Sequence, residues 1–139
     1  MKNLLLMKDR ICIHYHDTIS LGLMNNLANK DEAFISDMTR FVQENLGNAE
    51  LNVDDLARHA KISRTLLYKR LKDTVNLSAS EFIAKIRVEY AMDKLSNTNQ
   101  TVSEIAWMTG FSSPSYFIKT FKRHCGMTPK EFRMSGSAK

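Results

Sequence analysis

The chain has 139 residues, of which 43% are hydrophobic and 25% are charged, a composition typical of soluble globular domains. Five glycines and two prolines are too few for a turn-rich β fold, so helices joined by short connections are expected. Two cysteines exclude a disulfide scaffold, and the apolar run in MKNLLLMKDR (1–10) is too short for a signal peptide or a membrane span.

The positive charge is concentrated in one part of the chain. Residues 1–49 hold five Lys or Arg against six Asp or Glu, whereas residues 50–139 hold fifteen against nine. A basic excess of this kind suits a surface that contacts nucleic acid or an anionic membrane. A solvated face tuned for solubility also explains it. The low cysteine content favours a reducing compartment, so a cytoplasmic protein is expected.

The N-terminal segment, residues 1–30, has no clean periodicity. RICIHYH (10–16) alternates as a strand would, but the rest fits a linker as well as a helix, so the segment is predicted to be a linker or partly ordered. A helix over 31–46 follows, and Gly47 supplies a stop. Its apolar residues at helical spacing are Phe34, Ile35, Met38, Phe41, Val42 and Leu46.

Helix-start signals punctuate the remainder of the chain. Ser78-Ala-Ser-Glu81 and Thr101-Val-Ser-Glu104 fit the capping box, in which a hydroxyl and a Glu three residues later satisfy each other's backbone N–H groups. Ser113-Pro114 and Thr128-Pro129 place a cap residue before a proline at the first helical position. The predicted helices lie near 53–60, 64–74, 79–96, 102–109, 114–125 and 129–134. Residues 135–139 are predicted to be a flexible tail.

A faint internal repeat relates the two halves of this region. Leu56-Ala57 through Ile62-Ser63 matches Ile105-Ala106 through Phe111-Ser112 at an offset of 49 residues. LYKRLK (67–72) then matches FIKTFK (117–122) at an offset of 50, so one extra residue sits in the second turn, beside Pro114.

Each copy of the repeat has the pattern of a helix-turn-helix. A short helix carrying a small Ala is followed by a tight turn and by a second helix with core residues four apart and basic residues between them. Gly110 suits a turn position with positive φ. Lys61 occupies the equivalent position in the first copy, where a residue with a side chain is less favourable than glycine.

The helix predicted over 79–96 has apolar residues on different sides at its two ends. One stripe is Phe82, Ile83, Ile86 and Tyr90, and the other is Val88, Ala91, Met92 and Leu95. Such a helix suits a strut packed into two subdomains. At about 1.5 Å per residue it spans roughly 27 Å, a length that can hold two DNA-contacting helices about one DNA turn, roughly 34 Å, apart.

From about residue 50 to 134 the chain resembles the DNA-binding domain of the AraC/XylS family of bacterial transcription regulators. The motif near its end is met by Gly110-Phe111, Ser115-Tyr116-Phe117, Phe121-Lys122, Gly126, Thr128-Pro129 and Phe132-Arg133. Further matches upstream are Leu56-Ala57, Ser63, Leu67, Leu71-Lys72, Phe82-Ile83, Arg87 and Ala91. The resemblance implies an all-α fold with two helix-turn-helix subdomains, near 53–74 and 102–125, joined by a linker helix. It also implies a monomeric unit that binds double-stranded DNA in two successive major-groove segments, usually as an activator.

The run NKDEAFISDMTRFVQENLGNAELNVDDLA (29–57) resembles the entry to the output domain of hybrid two-component regulators of gut Bacteroidetes. Only 49 residues precede residue 50, too few for the sensing domain to which this family's domain is commonly fused. The chain is therefore either a small stand-alone regulator or the output end of a longer protein. The expected partners beside DNA are RNA polymerase and an N-terminal sensing or receiver domain of a longer parent protein.

The resemblance and the helical spacing together assign DNA contacts to the second helix of each motif. The residues expected to face base edges are Arg64, Thr65, Tyr68, Lys69, Pro114, Ser115, Ile118 and Lys119. The residues expected to hold phosphates are Arg70, Lys72, Lys122 and Arg123. Thr65 and Lys69 match the positions that usually read bases in the family. At the position of Lys69 the family more often has Arg, whose planar guanidinium can bind guanine with two hydrogen bonds. Tyr68 fits packing on its own helix equally well, and Arg133 is interpreted as pairing within the last helix.

No set of residues in the sequence has the pattern of an active site, so no enzyme and no cofactor are expected. His14-Tyr15-His16 lacks a third metal ligand at suitable spacing, and adjacent His124-Cys125 point in different directions on a helix. His59 has no evident partner.

The alternative to a DNA-binding regulator is a helical protein-interaction module whose basic face binds an acidic partner. The helices starting at 53 and 102 also offer N-terminal N–H groups to phosphates.

Overall fold

The structure, a computed structural model, describes residues 29–137, with side chains from 31 to 136. Within that range the chain forms seven α-helices and no strand, which confirms the predicted all-α fold. The helices are α1 Asn29–Glu44, α2 Val53–Ala60, α3 Arg64–Val75, α4 Ala79–Asn97, α5 Val102–Met108, α6 Pro114–Cys125 and α7 Pro129–Ser137. The strand-like run at 10–16 and its histidines lie outside the described residues. No helix of the described part is long and apolar enough to cross a membrane.

Two helices have C-terminal ends that differ by two or more residues from the sequence-based prediction. α1 ends at Glu44 rather than near residue 46, because the chain tightens into a turn in which Leu46 N–H donates to Gln43 O at 3.4 Å. α7 runs through Ser137, so the flexible tail predicted at 135–139 was wrong for residues 135–137. The Oγ of Ser135 donates to the carbonyl of Phe132 at 2.8 Å, which holds the chain in helical form there.

Capping boxes begin α4 and α5, as predicted. In α4 the Glu81 N–H donates to Ser78 Oγ at 3.1 Å, and the Ser78 N–H donates back to the Glu81 carboxylate at 2.8 Å. Thr101 and Glu104 make the same exchange at α5. Hydrogen bonding by the backbone N–H and the side chain of Ser78 holds the pKa of Glu81 below its ordinary value, because it favours the charged carboxylate. These reciprocal bonds determine where each helix starts.

α4 divides the apolar interior into two cores. Its first half packs with α1, α2 and α3, and its second half packs with α5, α6 and α7. The first core includes Ile35, Met38, Leu56, Leu67, Leu71, Phe82 and Ile86, and the second includes Val88, Ala91, Leu95, Ile105, Phe111, Phe117 and Phe121. This confirms the predicted strut. Tyr90 was wrongly placed in the first stripe: it is 37% exposed, because it follows Ile86 by a full turn, beyond the end of the first core.

The two helix-turn-helix motifs close their turns with the same backbone bonds. Ile62 N–H donates to Ala57 O at 3.1 Å, and Phe111 N–H donates to Ala106 O at 3.0 Å, the six-residue closure of a Schellman motif. Because both pairs are related by an offset of 49 residues, the repeat seen in the sequence is confirmed at the level of individual hydrogen bonds.

Both turns contain a left-handed residue. Lys61 has φ 59° and Gly110 has φ 85°, as their places in the repeat predicted. The second helices follow the N-cap residues Ser63 and Ser113, whose hydroxyls accept from Leu66 N and Tyr116 N, respectively, both at 3.1 Å. Ser63 is thus equivalent to Ser113 and not to Ser112, its match in the sequence repeat, because the extra residue of the second turn lies between Phe111 and the cap.

Arg87, at the middle of α4, joins the two halves of the molecule. Its buried guanidinium donates to the carbonyl of Asn48 at 2.6 Å, in the loop that follows α1. The same guanidinium lies against Gly110 in the turn between α5 and α6. Burial lowers the pKa of Arg87 from its ordinary value. Arg87 therefore connects the linker helix both to the loop after α1 and to the turn between α5 and α6.

Two long-range contacts correct interpretations of single residues. Arg133 does not pair within the last helix, since its guanidinium donates to Leu95 O and Thr98 O, both at 3.1 Å, at the C-terminal end of α4. His59 does have a partner: its Nε2 lies 3.0 Å from an Asp37 carboxylate oxygen, and its ring stacks on Phe41 at 4.2 Å between centroids. The second contact ties α2 to α1.

Candidate nucleic-acid interface

The outward face of α3 carries the residues predicted to contact bases in the first motif. Leu67 and Leu71 are fully buried, which fixes the rotation of the helix about its axis. The side chains of Arg64, Thr65, Tyr68 and Lys69 are exposed on the other sides. The structure thus brings all four together on one surface, where Tyr68 is 55% exposed.

The outward face of α6 is arranged in the same way. Phe117 and Phe121 are fully buried, and Ser115, Ile118 and Lys119 are exposed. Pro114 is half-buried at the first helical position and presents less surface than the other predicted residues. An exposed Ile beside Lys119 offers an apolar contact of the kind that a thymine methyl group makes.

Tyr116 lies at the edge of the second core. Its ring meets Phe111 edge-on, with centroids 5.7 Å apart, and 49% of the residue is exposed. The expectation that it packs at the edge of the core is thereby confirmed.

The four predicted phosphate contacts fall into two groups. Lys72, Lys122 and Arg123 are exposed. Among the described residues, no ion pair involves any of these three cations. Arg70 differs, because it is half-buried and contacts Asp31 and Phe34 of α1. Three of the four cations are thus available to an anionic partner.

The second helices of the two motifs, α3 and α6, differ in how far neighbouring acids neutralise their positive charge. α6 contains no acidic residue along PSYFIKTFKRHC. On α3, the guanidinium Nε of Arg64 lies 3.2 Å from a carboxylate oxygen of Asp54 on α2. The second motif therefore presents the less compensated positive surface.

The helix N-termini predicted to bind phosphates already have internal partners. At α2 the Asn52 side chain accepts from Asp54 N and Asp55 N, and at α5 the Thr101 hydroxyl accepts from Glu104 N. The first turns also carry carboxylates, which disfavour a second anion. Both features work against a phosphate at either helix start.

Some exposed apolar residues near this surface were not singled out from the sequence. Leu66 on α3 and Trp107 on α5 are both exposed, Trp107 by 57%. The available signal was the rotation of each helix: once Leu67 and Ile105 are assigned to the core, Leu66 and Trp107 must point elsewhere. Periodicity alone does not show that nothing else in the fold covers them.

His124, which follows Arg123 on α6, is half-buried. Burial lowers the pKa of His124 from its ordinary value near 6.5, Arg123 and Lys85 lower it further, and Glu81 opposes them. The folded protein therefore binds fewer protons than the unfolded chain as the pH falls through that value, and stability is lost on acidification. At neutral pH the imidazole adds little positive charge.

We expect His124→Gln to flatten the pH dependence of stability. Between about pH 7.5 and 5.5 the native chain should lose stability because the unfolded chain gains a proton at His124 that the folded chain resists. The variant lacks this group and should lose less. Urea midpoints at both pH values measure the difference, and an equal loss in both proteins would show that His124 does not cause it.

Comparisons with known proteins agree with this geometry. A family model described as a helix-turn-helix domain matches residues 56–135. The chain is 30% identical over 103 residues to histidine kinase P4 of Formosa agariphila, a match that covers 74% of the chain and 8% of that protein. It is 31% identical over 102 residues to the Msm operon regulatory protein of Streptococcus mutans, covering 73% of the chain and 36% of that protein.

The fold recurs in solved structures. The DNA-binding domain of AdpA, a global transcriptional factor solved in complex with a target DNA, is 25% identical with a TM-score of 0.68. That match covers 74% of this chain and 92% of the AdpA domain chain. By contrast, the chain spans well under half the length of the two curated relatives.

Proposed function

The chain belongs to the AraC-type helix-turn-helix family of DNA-binding transcription regulators, and from that premise we propose that α3 and α6 read two successive major-groove segments to activate transcription. Membership in this family indicates a DNA-binding regulator rather than an enzyme. The observation that carries the proposal is the matched construction of the two motifs. Each holds its reading helix by a buried face and leaves exposed basic and polar residues on the other.

The linker helix supports the proposed spacing of the two reading helices. α4 has 19 residues and is therefore about 28 Å long, comparable to the roughly 34 Å of one DNA turn. Because its two halves belong to different cores, it holds both motifs in a fixed relation. One rigid unit can thus present both reading helices to the same side of a duplex.

The proposed roles follow from chemistry and exposure. On α3, Arg64, Thr65, Tyr68 and Lys69 would face base edges, and on α6 Ser115, Ile118 and Lys119 would do so, with Pro114 at the margin. Lys72, Lys122 and Arg123 would hold phosphates. Cations that contact phosphates contribute affinity without sequence information, whereas side chains at base edges distinguish sequences.

The proposed setting is the output end of a longer cytoplasmic regulator. A relative named histidine kinase supports this, since the chain matches only a small part of it. In such a protein a receiver or sensing domain would control the output domain, and RNA polymerase would be the target of activation. These partners are part of the proposal.

The test is DNA binding as a function of salt. Three phosphate contacts predict that the logarithm of the association constant falls with the logarithm of salt concentration at a slope of about −3 or steeper. A fluorescent duplex selected from random DNA should also bind more tightly than a shuffled duplex at every salt concentration. A module built for acidic proteins would bind the two duplexes equally, and that result would contradict the proposal.

A further inference from the structure

Arg70 of α3 is held by two side chains of α1. Its Nη2 lies 3.6 Å from the Asp31 Oδ1, and its Cζ lies 3.9 Å from the centroid of the Phe34 ring. The Arg70 and Asp31 side chains are 32% and 29% exposed, so water screens their pairing less than it screens a pair at the open surface. One carboxylate and one aromatic face therefore fix the guanidinium against α1.

The α1 side of this contact is itself anchored. Phe34 is buried, and Ile35 and Met38 on the same helix are fully buried in the first core. Phe34 therefore cannot follow Arg70 if the guanidinium turns toward another partner. The position of α1 determines whether Arg70 is held.

The second reading helix has no comparable arrangement. No ion pair formed by Lys122 or Arg123 occurs between residues 31 and 136, whereas Arg70 has an acid within reach on a neighbouring helix. DNA releases a counterion when a protein cation neutralises a phosphate. A guanidinium that is paired with a carboxylate of its own chain cannot do this until it leaves that partner. Arg70 and Lys122, both assigned to phosphates from the sequence, differ in this respect.

We propose that Asp31, together with Phe34, acts as an internal substitute for a DNA phosphate and lowers the DNA affinity of the first reading helix. Asp31 is then a positioning residue: it does not contact DNA, but it determines whether the Arg70 guanidinium can contact a phosphate. Displacement of the first turn of α1 adds one cation to the interface. The proposal rests on the proposed DNA binding by α3. It adds that α1 controls how much positive charge α3 presents to DNA.

The experiment compares Asp31→Asn with Glu32→Gln in the full chain. Both variants remove one negative charge from the first turn of α1, but only Asp31 contacts Arg70. With the selected duplex, we expect Asp31→Asn to bind roughly fivefold more tightly at low salt and to steepen the salt slope by about 0.9. Glu32→Gln should change affinity by less than about twofold, the effect of a remote charge under screening.

A double-mutant cycle makes the test specific. Arg70→Gln alone should leave DNA affinity nearly unchanged, because in the native chain Asp31 and Phe34 keep Arg70 from contacting a phosphate. In the Arg70→Gln background, Asp31→Asn should lose its effect. Asp31→Ser should reproduce the gain of Asp31→Asn if asparagine perturbs the helix, and circular dichroism confirms that each variant is folded.

Several outcomes would overturn the proposal. Equal effects of Asp31→Asn and Glu32→Gln would show only general repulsion of DNA, and weaker binding by Asp31→Asn would show that the pair orients Arg70 for DNA. A gain that persists without Arg70 would also contradict it. If the native chain lacks salt-dependent, sequence-selective binding, the proposed function fails first, and the two failures are thereby distinguished.

Discussion

Gly110→Ala is expected to lower the free energy of unfolding by about 3 kcal/mol. The residue has φ 85°, a conformation that costs a residue with a side chain roughly 1–2 kcal/mol. A methyl group there would also overlap the carbonyl oxygen of Leu46 and lie 3.0 Å from the Arg87 guanidinium carbon. Since the Leu46 contact is with backbone, it cannot be relieved by rotating a side chain, and the joint between the two halves must open.

The matched control is Lys61→Gly at the equivalent position of the first turn. Lys61 has φ 59°, so glycine removes the strain of a left-handed residue at the cost of greater freedom in the unfolded chain. We expect this variant to be neutral or more stable by up to about 1 kcal/mol. Urea unfolding of both variants gives the comparison. A Gly110→Ala variant as stable as the native chain would show that the second turn does not dock as described.

Lys122→Gln is expected to weaken binding to every duplex by a similar factor, roughly tenfold at low salt, and to flatten the salt slope by about 0.9. Lys122 is exposed, and among the described residues it forms no ion pair, so its charge is available to a phosphate. Lys119→Ala should instead change which duplexes are preferred, because Lys119 lies with Ile118 on the exposed face of α6.

The control for charge is Lys130→Gln, which removes an exposed cation from α7, outside the proposed interface. Its salt slope should match that of the native chain. Fluorescence anisotropy on a selected and a shuffled duplex measures all three variants. If Lys122→Gln altered the preference between the duplexes while leaving the slope unchanged, its assignment to phosphate would be wrong.

The local features of the fold could be predicted because they depend on neighbours in the sequence. Ser78 with Glu81 and Thr101 with Glu104 predicted two helix starts, since the capping bonds join residues three apart. Gly110 predicted a left-handed turn because glycine adopts that conformation at little cost. The division of α4 between two cores followed from its two apolar stripes.

The contacts that were missed join residues far apart in the chain. Arg133 binds carbonyls at the end of α4, 35 and 38 positions away, and His59 pairs with Asp37, 22 positions away. Periodicity reports which side of a helix is buried, but not which helix covers it. For the same reason the pairing of Arg70 with Asp31 was missed, because Asp31 belongs to a helix whose packing against α3 no local pattern revealed.

The most direct test of two reading helices in one rigid unit is selection of binding sites from random DNA. We predict a bipartite site whose two conserved elements have centres about 10 base pairs apart, one turn of the duplex. Selection with Thr65→Ala should change one element, and selection with Lys119→Ala should change the other. A single conserved element, or two elements that both respond to the same substitution, would contradict the proposed division between α3 and α6.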